Sequence, residues 1–232
     1  MKPADPKIID ESYYLNVCFG SEDFKKSGGK KIHPRVKNMI DEIGFNNSMS
    51  VLEIGCGRGD TSMYIATKVK SITAIDYSEV AIKMANDVRG EYPVDIQERA
   101  KFYVMNATSL HKFKDKSFEV VIFIDTIDHL NKKGVNAALS EINRVLKPGG
   151  ILFVRTCSNR ILLNYTFKYY VYPMNLILTQ VDKMIKRVSY SSLAKDQRTK
   201  DAKIHHINEP DYFYLKKASL RFEILLDFVR YV

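Results

Sequence analysis

The run Val51-Leu52-Glu53-Ile54-Gly55-Cys56-Gly57-Arg58-Gly59 places three glycines at alternate positions after a short apolar stretch. Glycine lets the backbone turn sharply and lets a ligand approach it closely. A helix that follows such a turn directs its free N–H groups toward that ligand. A dinucleotide-binding dehydrogenase carries G-x-G-x-x-G at this place. This chain carries G-x-G-x-G, with Glu53 two positions before the first glycine. A carboxylate there repels a pyrophosphate and suits a cationic, amine-bearing ligand. The plain alternative is a tight strand-to-helix turn with no ligand. Asp76 stands further along the chain. Its side chain can accept both hydroxyls of a ribose, or it can cap the helix that opens at Glu79. Ser78 can do the capping instead.

His129 is the first choice for a general base, since an imidazole can take a proton from a hydroxyl or amine near neutral pH. Packing or hydrogen bonding at a strand end accounts for it equally simply. Asp125 and Asp128 are the nearest alternatives. Cys18, Cys56 and Cys157 are odd in number and irregularly spaced, which fits free thiols and neither a disulfide framework nor a zinc site. No metal is expected.

These residues need elements to hold them. Val36, Met39, Ile40 and Ile43 recur at helical spacing over His33–Ile43, which starts near Pro34 and stops at Gly44. The pattern then alternates. Strands are predicted at Ser50–Ile54, Ser71–Ile75, Lys101–Met105, Phe118–Ile124 and Ile151–Arg155. Helices are predicted at Asp60–Val69, Glu79–Arg89 and Val135–Leu146, the last stopped by Lys147-Pro148-Gly149-Gly150. Such alternation implies an α/β fold, with a doubly wound, mostly parallel sheet and helices on both faces. Ligands then bind outside the carboxyl ends of the strands, near the point where strand order reverses.

At this point a resemblance is plain. Glu53–Gly59 is similar to motif I of the class I S-adenosylmethionine-dependent methyltransferases, and Asp76 resembles the acidic residue of their motif II. Met105-Asn106-Ala107 is similar to the Gly-Asp-Ala after the third strand of the small-molecule "type 11" branch. Ser117–Ile122 resembles the SFDVV strand, Asp128-His129-Leu130 the segment after it, and Glu141–Gly150 the signature before the fifth strand. The series covers residues 50–156 in the family's order. It implies a Rossmann-like methyltransferase fold with S-adenosyl-L-methionine as cofactor. It also implies roles. Gly55 and Gly57, with Cys56 and Gly59 in the same loop, would lie along the methionine part, and Glu53 near its amino group. Asp76 would hold the ribose, and Tyr77 would lie beside the adenine. Asn106 would face the adenine amino group and the Ala107 N–H a ring nitrogen. The backbone of Phe123 or Ile124 would approach the methionine amino group. Asn106 departs from the usual Asp, although an amide oxygen still accepts from an amino group. Phe123 and Ile124 are larger than the family's usual residues.

The whole-chain numbers agree with a globular enzyme. Hydrophobic residues make up 45% and charged residues 27% of 232, enough for a full core. Neither a signal peptide nor a membrane-spanning helix is expected, so the chain reads as cytoplasmic. Of the formal charge of +9, much sits in 160–203, where nine Lys or Arg face three Asp or Glu. This segment belongs to a longer insertion, 157–210, rich in Tyr and ending near His205-His206. It is expected to form a basic, aromatic, helical cap with its aromatic side toward the cleft. An anionic membrane surface and RNA are its other expected partners. The expected plan is an N-terminal helical segment 1–44, a cofactor core 45–156, the cap 157–210, and a C-terminal helix and strand 211–232. That last part contains a helix over Pro210–Lys217 and a sixth strand over Arg221–Leu226. The acceptor is expected to be a small or lipid-like molecule methylated on O, N or C. An RNA methyltransferase and a non-catalytic cofactor-binding module are the alternatives.

Overall fold

The computed structural model describes residues 10–155, 168–185 and 224–226. Six parallel strands form one sheet in the order β3-β2-β1-β4-β5-β6. They are β1 (Ser50–Ile54), β2 (Ser71–Asp76), β3 (Ala100–Val104), β4 (Phe118–Ile124), β5 (Leu146–Arg155) and β6 (Ile224–Leu226). Strand order reverses between β1 and β4. The crevice there is where a doubly wound sheet takes its ligand.

Alternation along the strands splits the core into two layers. In β4, Val120 and Ile122 join one buried cluster, and Val121 and Phe123 the other. The first layer packs under α3 (Pro34–Asp41), α4 (Asp60–Ala66) and α5 (Glu79–Gly90). The second packs under α7 (Lys132–Val145), through Val135, Ala138, Leu139, Ile142 and Val145. Strands covered on both faces are apolar throughout. Within β1 only Glu53 breaks that rule while remaining buried.

Helix starts follow local chemistry. His33 Nδ1 accepts from the Arg35 N–H at 3.2 Å and opens α3 at Pro34. Ser78 Oγ accepts from Ala81 N–H and opens α5, the role that Asp76 could have held. Asn131 caps α7 through the Gly134 N–H at 2.9 Å.

Several expectations shift in detail. Two N-terminal helices, α1 (Glu11–Asn16) and α2 (Ser21–Ser27), have no strong apolar period and lie inside the segment 1–44 that was expected to be helical, while a short α6 (Val94–Gln97) stands where no element was predicted. β3 begins and ends one residue earlier than predicted. The Lys147–Gly150 turn lies inside β5, not before it. Leu146 pairs with Phe118 and Ile151 with Val120, so the turn bulges out while the strand resumes pairing. Gly149 supplies the left-handed bend, with φ of +75°. The expected helix over Pro210–Lys217 lies outside the described residues, as does most of the predicted sixth strand.

The family-like segment Glu141–Arg144 is a clamp. Arg144 donates to the carbonyls of Phe113 and Leu110 at 2.8 and 3.0 Å and pairs with Glu141 and Asp115. Glu141 in turn accepts the Leu110 N–H at 2.7 Å. The loop between β3 and β4 is thereby tied to α7.

Gly59 begins α4 with φ of +79°, and a Cβ there would sit 2.6 Å from the Ala85 Cβ and 2.9 Å from its Cα. Only glycine lets α4 and α5 cross this closely. Gly59→Ala is expected to destabilise the fold by about 2–4 kcal/mol, through strain at positive φ and overpacking, read by urea denaturation.

Candidate active site

The turn from β1 into α4 lies at the strand-order reversal. Its first two N–H groups, from Gly55 and Cys56, both donate to Ile75 O of β2, at 2.8 and 3.0 Å. Gly55 has φ of +78°, and a Cβ on it would fall 2.0 Å from Thr126 Oγ1. Its missing side chain thus makes room for Thr126, at the end of β4, and not for a ligand. At Gly57, with φ of +50°, a Cβ would meet the Tyr14 ring at 3.6 Å, an ordinary packing distance.

Asp76 ends β2 and is buried. Its Oδ2 accepts the Gly57 N–H at 3.0 Å and its Oδ1 accepts the Ser78 N–H at 3.0 Å. One carboxylate therefore holds both the glycine loop and the start of α5. Each oxygen keeps a further lone pair for a hydroxyl donor. Tyr77 follows, half-buried against the first core layer.

Glu53 projects from β1 toward α4 and accepts a hydrogen bond from Ser62 Oγ. Burial pushes its carboxyl up to about 8, with the nearby Asp60 and Asp76 adding to the rise. Burial also raises Asp76 and Asp60, the latter in spite of Arg58. Two buried carboxyl groups, Glu53 and Asp76, and the partly buried Asp60 thus share one corner of the sheet. Arg58 bears on Asp60. It pairs with Asp60 at 3.4 Å, but its other N–H groups go to the carbonyls of Tyr14 and Phe19 at 2.8 and 2.9 Å. Its guanidinium also lies 4.6 Å from the Phe24 ring centroid. The corner is short of positive charge.

Cys56 is buried, and burial together with these carboxylates raises its thiol well above the ordinary value. It is unsuited to nucleophilic work. Ala107 is buried beside β3, whereas Asn106 is exposed. Asn106 Oδ1 accepts from both the N–H and the hydroxyl of Thr108, at 2.9 Å each. The oxygen expected to face an adenine amino group is engaged in its own turn. The Phe123 side chain is fully buried in the second layer, leaving only its backbone on the site side, while Ile124 packs toward the first layer. His129 is half-buried at the end of a 3-10 turn, Ile127–His129, that follows β4.

The geometry adds residues that the spacing did not disclose. Tyr14 of α1 is buried, with its ring beside Gly57 and its hydroxyl near Asp76 and Ser78. The segment around it had no periodic signal, so only the carbonyl contacts with Arg58 place it. Arg155 and Asp125 meet at the ends of β5 and β4. Tyr169 and Tyr170 are 58% and 73% exposed. His205 and His206 lie outside the described residues.

A cofactor with a sulfonium and an ammonium group fits this corner. The buried Glu53 and Asp76, with the partly buried Asp60, lack the countercharge such a ligand brings, and Asp76 has acceptor capacity for a ribose.

Comparison with known proteins points the same way. Residues 52–154 match the family described as "Methyltransferase domain". The 2-methyl-6-phytyl-1,4-hydroquinone methyltransferase of Synechocystis sp. is 38% identical over 112 residues, covering 48% of this chain and 33% of that protein. The demethylmenaquinone methyltransferase of Leptospira interrogans is 33% identical over 116 residues, covering 47% and 43%. The matched segment thus spans less than half the length of either curated relative. The Haemonchus contortus phosphoethanolamine N-methyltransferase 1, solved with phosphoethanolamine and S-adenosylhomocysteine, shares the fold, with a TM-score of 0.52 at 17% identity over 66% of this chain and 32% of that one. With its glycine loop, acidic strand ends and strand order, the 52–154 core is similar to the class I S-adenosylmethionine-dependent methyltransferases.

Proposed function

We propose that this protein transfers a methyl group from S-adenosyl-L-methionine to an O, N or C atom of a small or lipid-like acceptor. The observation that carries this reading is the acidic corner of the buried Glu53 and Asp76 with the partly buried Asp60, set beside the glycine loop. When bound, the cofactor supplies an electrophilic methyl carbon on a sulfonium whose leaving group is a neutral thioether. The chain's own residues mainly bind and orient. Glu53 and Asp76 would offer negative charge to the ammonium end and acceptors to the ribose. The Gly57 and Tyr14 faces would bound the groove. Alignment alone can contribute about 7–11 kcal/mol to a transfer of this kind. His129 is the proposed base for a protonated acceptor. The two curated relatives named above act on a hydroquinone and a demethylmenaquinone by their names, which favours an apolar ring-bearing acceptor.

The basic insertion is proposed to meet an anionic lipid surface. Helix α8 (Tyr172–Ile185) exposes Met174, Leu176, Ile177, Leu178 and Val181, and Lys168 precedes it. Exposed apolar side chains suit the acyl boundary of a bilayer better than a nucleic-acid backbone. Among the described residues no helix is long and apolar enough to cross a membrane, so the contact would be peripheral.

Calorimetric titration tests the central reading. S-adenosylmethionine and S-adenosylhomocysteine should bind and NAD should not. Asp76→Asn should weaken binding about ten- to a hundredfold, as loss of a charged acceptor does. Binding of NAD alone would overturn the reading.

The raised Glu53 carboxyl gives a pH signature. A native carboxyl near 8 binds more protons than its unfolded counterpart near 4.5, so native stability should fall as pH rises through that window. Glu53→Gln should flatten the fall, seen by thermal melting across pH. Ionised Glu53 attracts a cationic ligand, so cofactor affinity should rise with pH over the same window in the native protein and not in Glu53→Gln.

Sedimentation with phosphatidylglycerol vesicles should retain the protein, and Ile177→Glu with Leu178→Glu should release it. Salt-sensitive binding to single-stranded RNA without vesicle binding would favour a nucleic-acid acceptor instead.

A further inference from the structure

The carboxyl ends of β4 and β5 carry a second polar cluster, apart from the acidic corner. Asp125 follows β4 with φ of +47°, a left-handed backbone uncommon outside glycine. Strain of this kind concentrates at ligand sites. Its N–H donates to Arg155 O at 2.9 Å, and its Oδ2 accepts from Arg155 Nη1. Arg155 is 7% exposed, with the Phe19 ring centroid 5.6 Å from its guanidinium.

An Arg–carboxylate pair closes most favourably as a fork, with two parallel bonds to both oxygens. This pair makes one. Asp125 Oδ1 and Arg155 Nε are both buried and have no hydrogen-bond partner among the described residues. Buried polar atoms are nearly always satisfied, and an exception calls for a missing group. One acceptor and one charged donor are therefore left over side by side. Arg35 of α3 also bears on Asp125, so two cations face one carboxylate and the cluster keeps an excess positive charge.

We propose that Arg155 and Asp125 anchor the methyl acceptor, Arg155 Nε taking an anionic oxygen of the ligand and Asp125 Oδ1 a hydroxyl on a neighbouring carbon. The ligand class is a hydroxy acid or a half-ionised diol. The word acceptor rests on the methyltransferase reading; the anchor itself does not. The amino-carboxylate end of the cofactor presents a similar donor and anion and is the rival occupant. The sheet order argues against it as the chief one. Asp76 on β2 and Arg155 on β5 are separated by β1 and β4, about 14 Å across the strands.

The test is calorimetry with 2-hydroxybenzoate, benzoate and phenol, with and without saturating S-adenosylhomocysteine. The native protein should bind 2-hydroxybenzoate about tenfold more tightly than benzoate, and phenol least, as one added bond to a charged group implies. Arg155→Lys keeps the charge but lacks Nε, and should lose at least about tenfold for both acids. Asp125→Gly suits the backbone and should keep benzoate binding while erasing the preference for the hydroxy acid. S-adenosylhomocysteine affinity should stay within twofold in both variants, which also reports that they are folded. Equal binding of the two acids, or binding of none of the probes, overturns the anchor. A fall in S-adenosylhomocysteine affinity in Arg155→Lys, with acid binding unchanged, gives the pair to the cofactor and overturns it too. If the native protein fails to bind S-adenosylhomocysteine, the methyltransferase reading falls, while the titrations without it still decide the anchor.

Discussion

Close contact between Gly55 and Thr126 holds the site at the strand-order reversal. Thr126 Oγ1 donates to Ile124 O at 2.8 Å and reaches Ile54 O at 3.3 Å, in space that any side chain at position 55 would fill. The end of β1 and the end of β4 are thereby joined above the sheet, where two parallel strands would otherwise splay into separate loops. With the junction closed, Gly57 and Asp76 come within hydrogen-bonding distance, and the turn after β4 is fixed beside the glycine loop. The acidic corner and the Arg155–Asp125 cluster then lie on opposite sides of this junction, the first toward β2 and the second toward β5.

Charge is distributed across that junction with a clear asymmetry. Toward β2, Glu53 and Asp76 are buried beside the partly buried Asp60, which pairs with Arg58. Toward β5, Arg155 and Arg35 bear on the single carboxylate of Asp125. Burial magnifies both imbalances, because low local dielectric strengthens attraction to a missing countercharge and penalises its absence. A cationic cofactor on one side and an anionic acceptor on the other would satisfy both, and would bring donor and acceptor together at the end of β4. Arg58 joins the N-terminal helices to this arrangement, since the carbonyls of Tyr14 and Phe19 take the guanidinium donors that the carboxylates do not.

Several motif residues work for the fold. Glu141 and Arg144 fasten the loop before β4 to α7, and Glu119 accepts the Ser50 N–H at 2.8 Å while pairing with Lys147. Gly59 allows α4 and α5 to cross, and Asn106 stabilises its own turn through Thr108. A family signature therefore records packing constraints as well as contacts with a ligand. Its glycines differ in purpose even when they stand two residues apart.

The order of strands and helices, the two-layer core and the position of the crevice were legible in the amino-acid sequence. Apolar periodicity and turn residues are local signals, and parallel β–α–β connections admit few arrangements. The acidic cofactor loop was legible for the same reason: Glu53 to Gly59 is contiguous, and Asp76 ends the neighbouring strand. Tertiary structure alone decided what each glycine makes room for, since that depends on what occupies the place of its missing Cβ. It alone brought Tyr14 to Asp76 across more than sixty residues of chain and paired Asp125 with Arg155 across thirty. Long-range pairs of polar side chains leave no period in the sequence, because their proximity is set by the stacking of strand ends and by what burial leaves unsatisfied there.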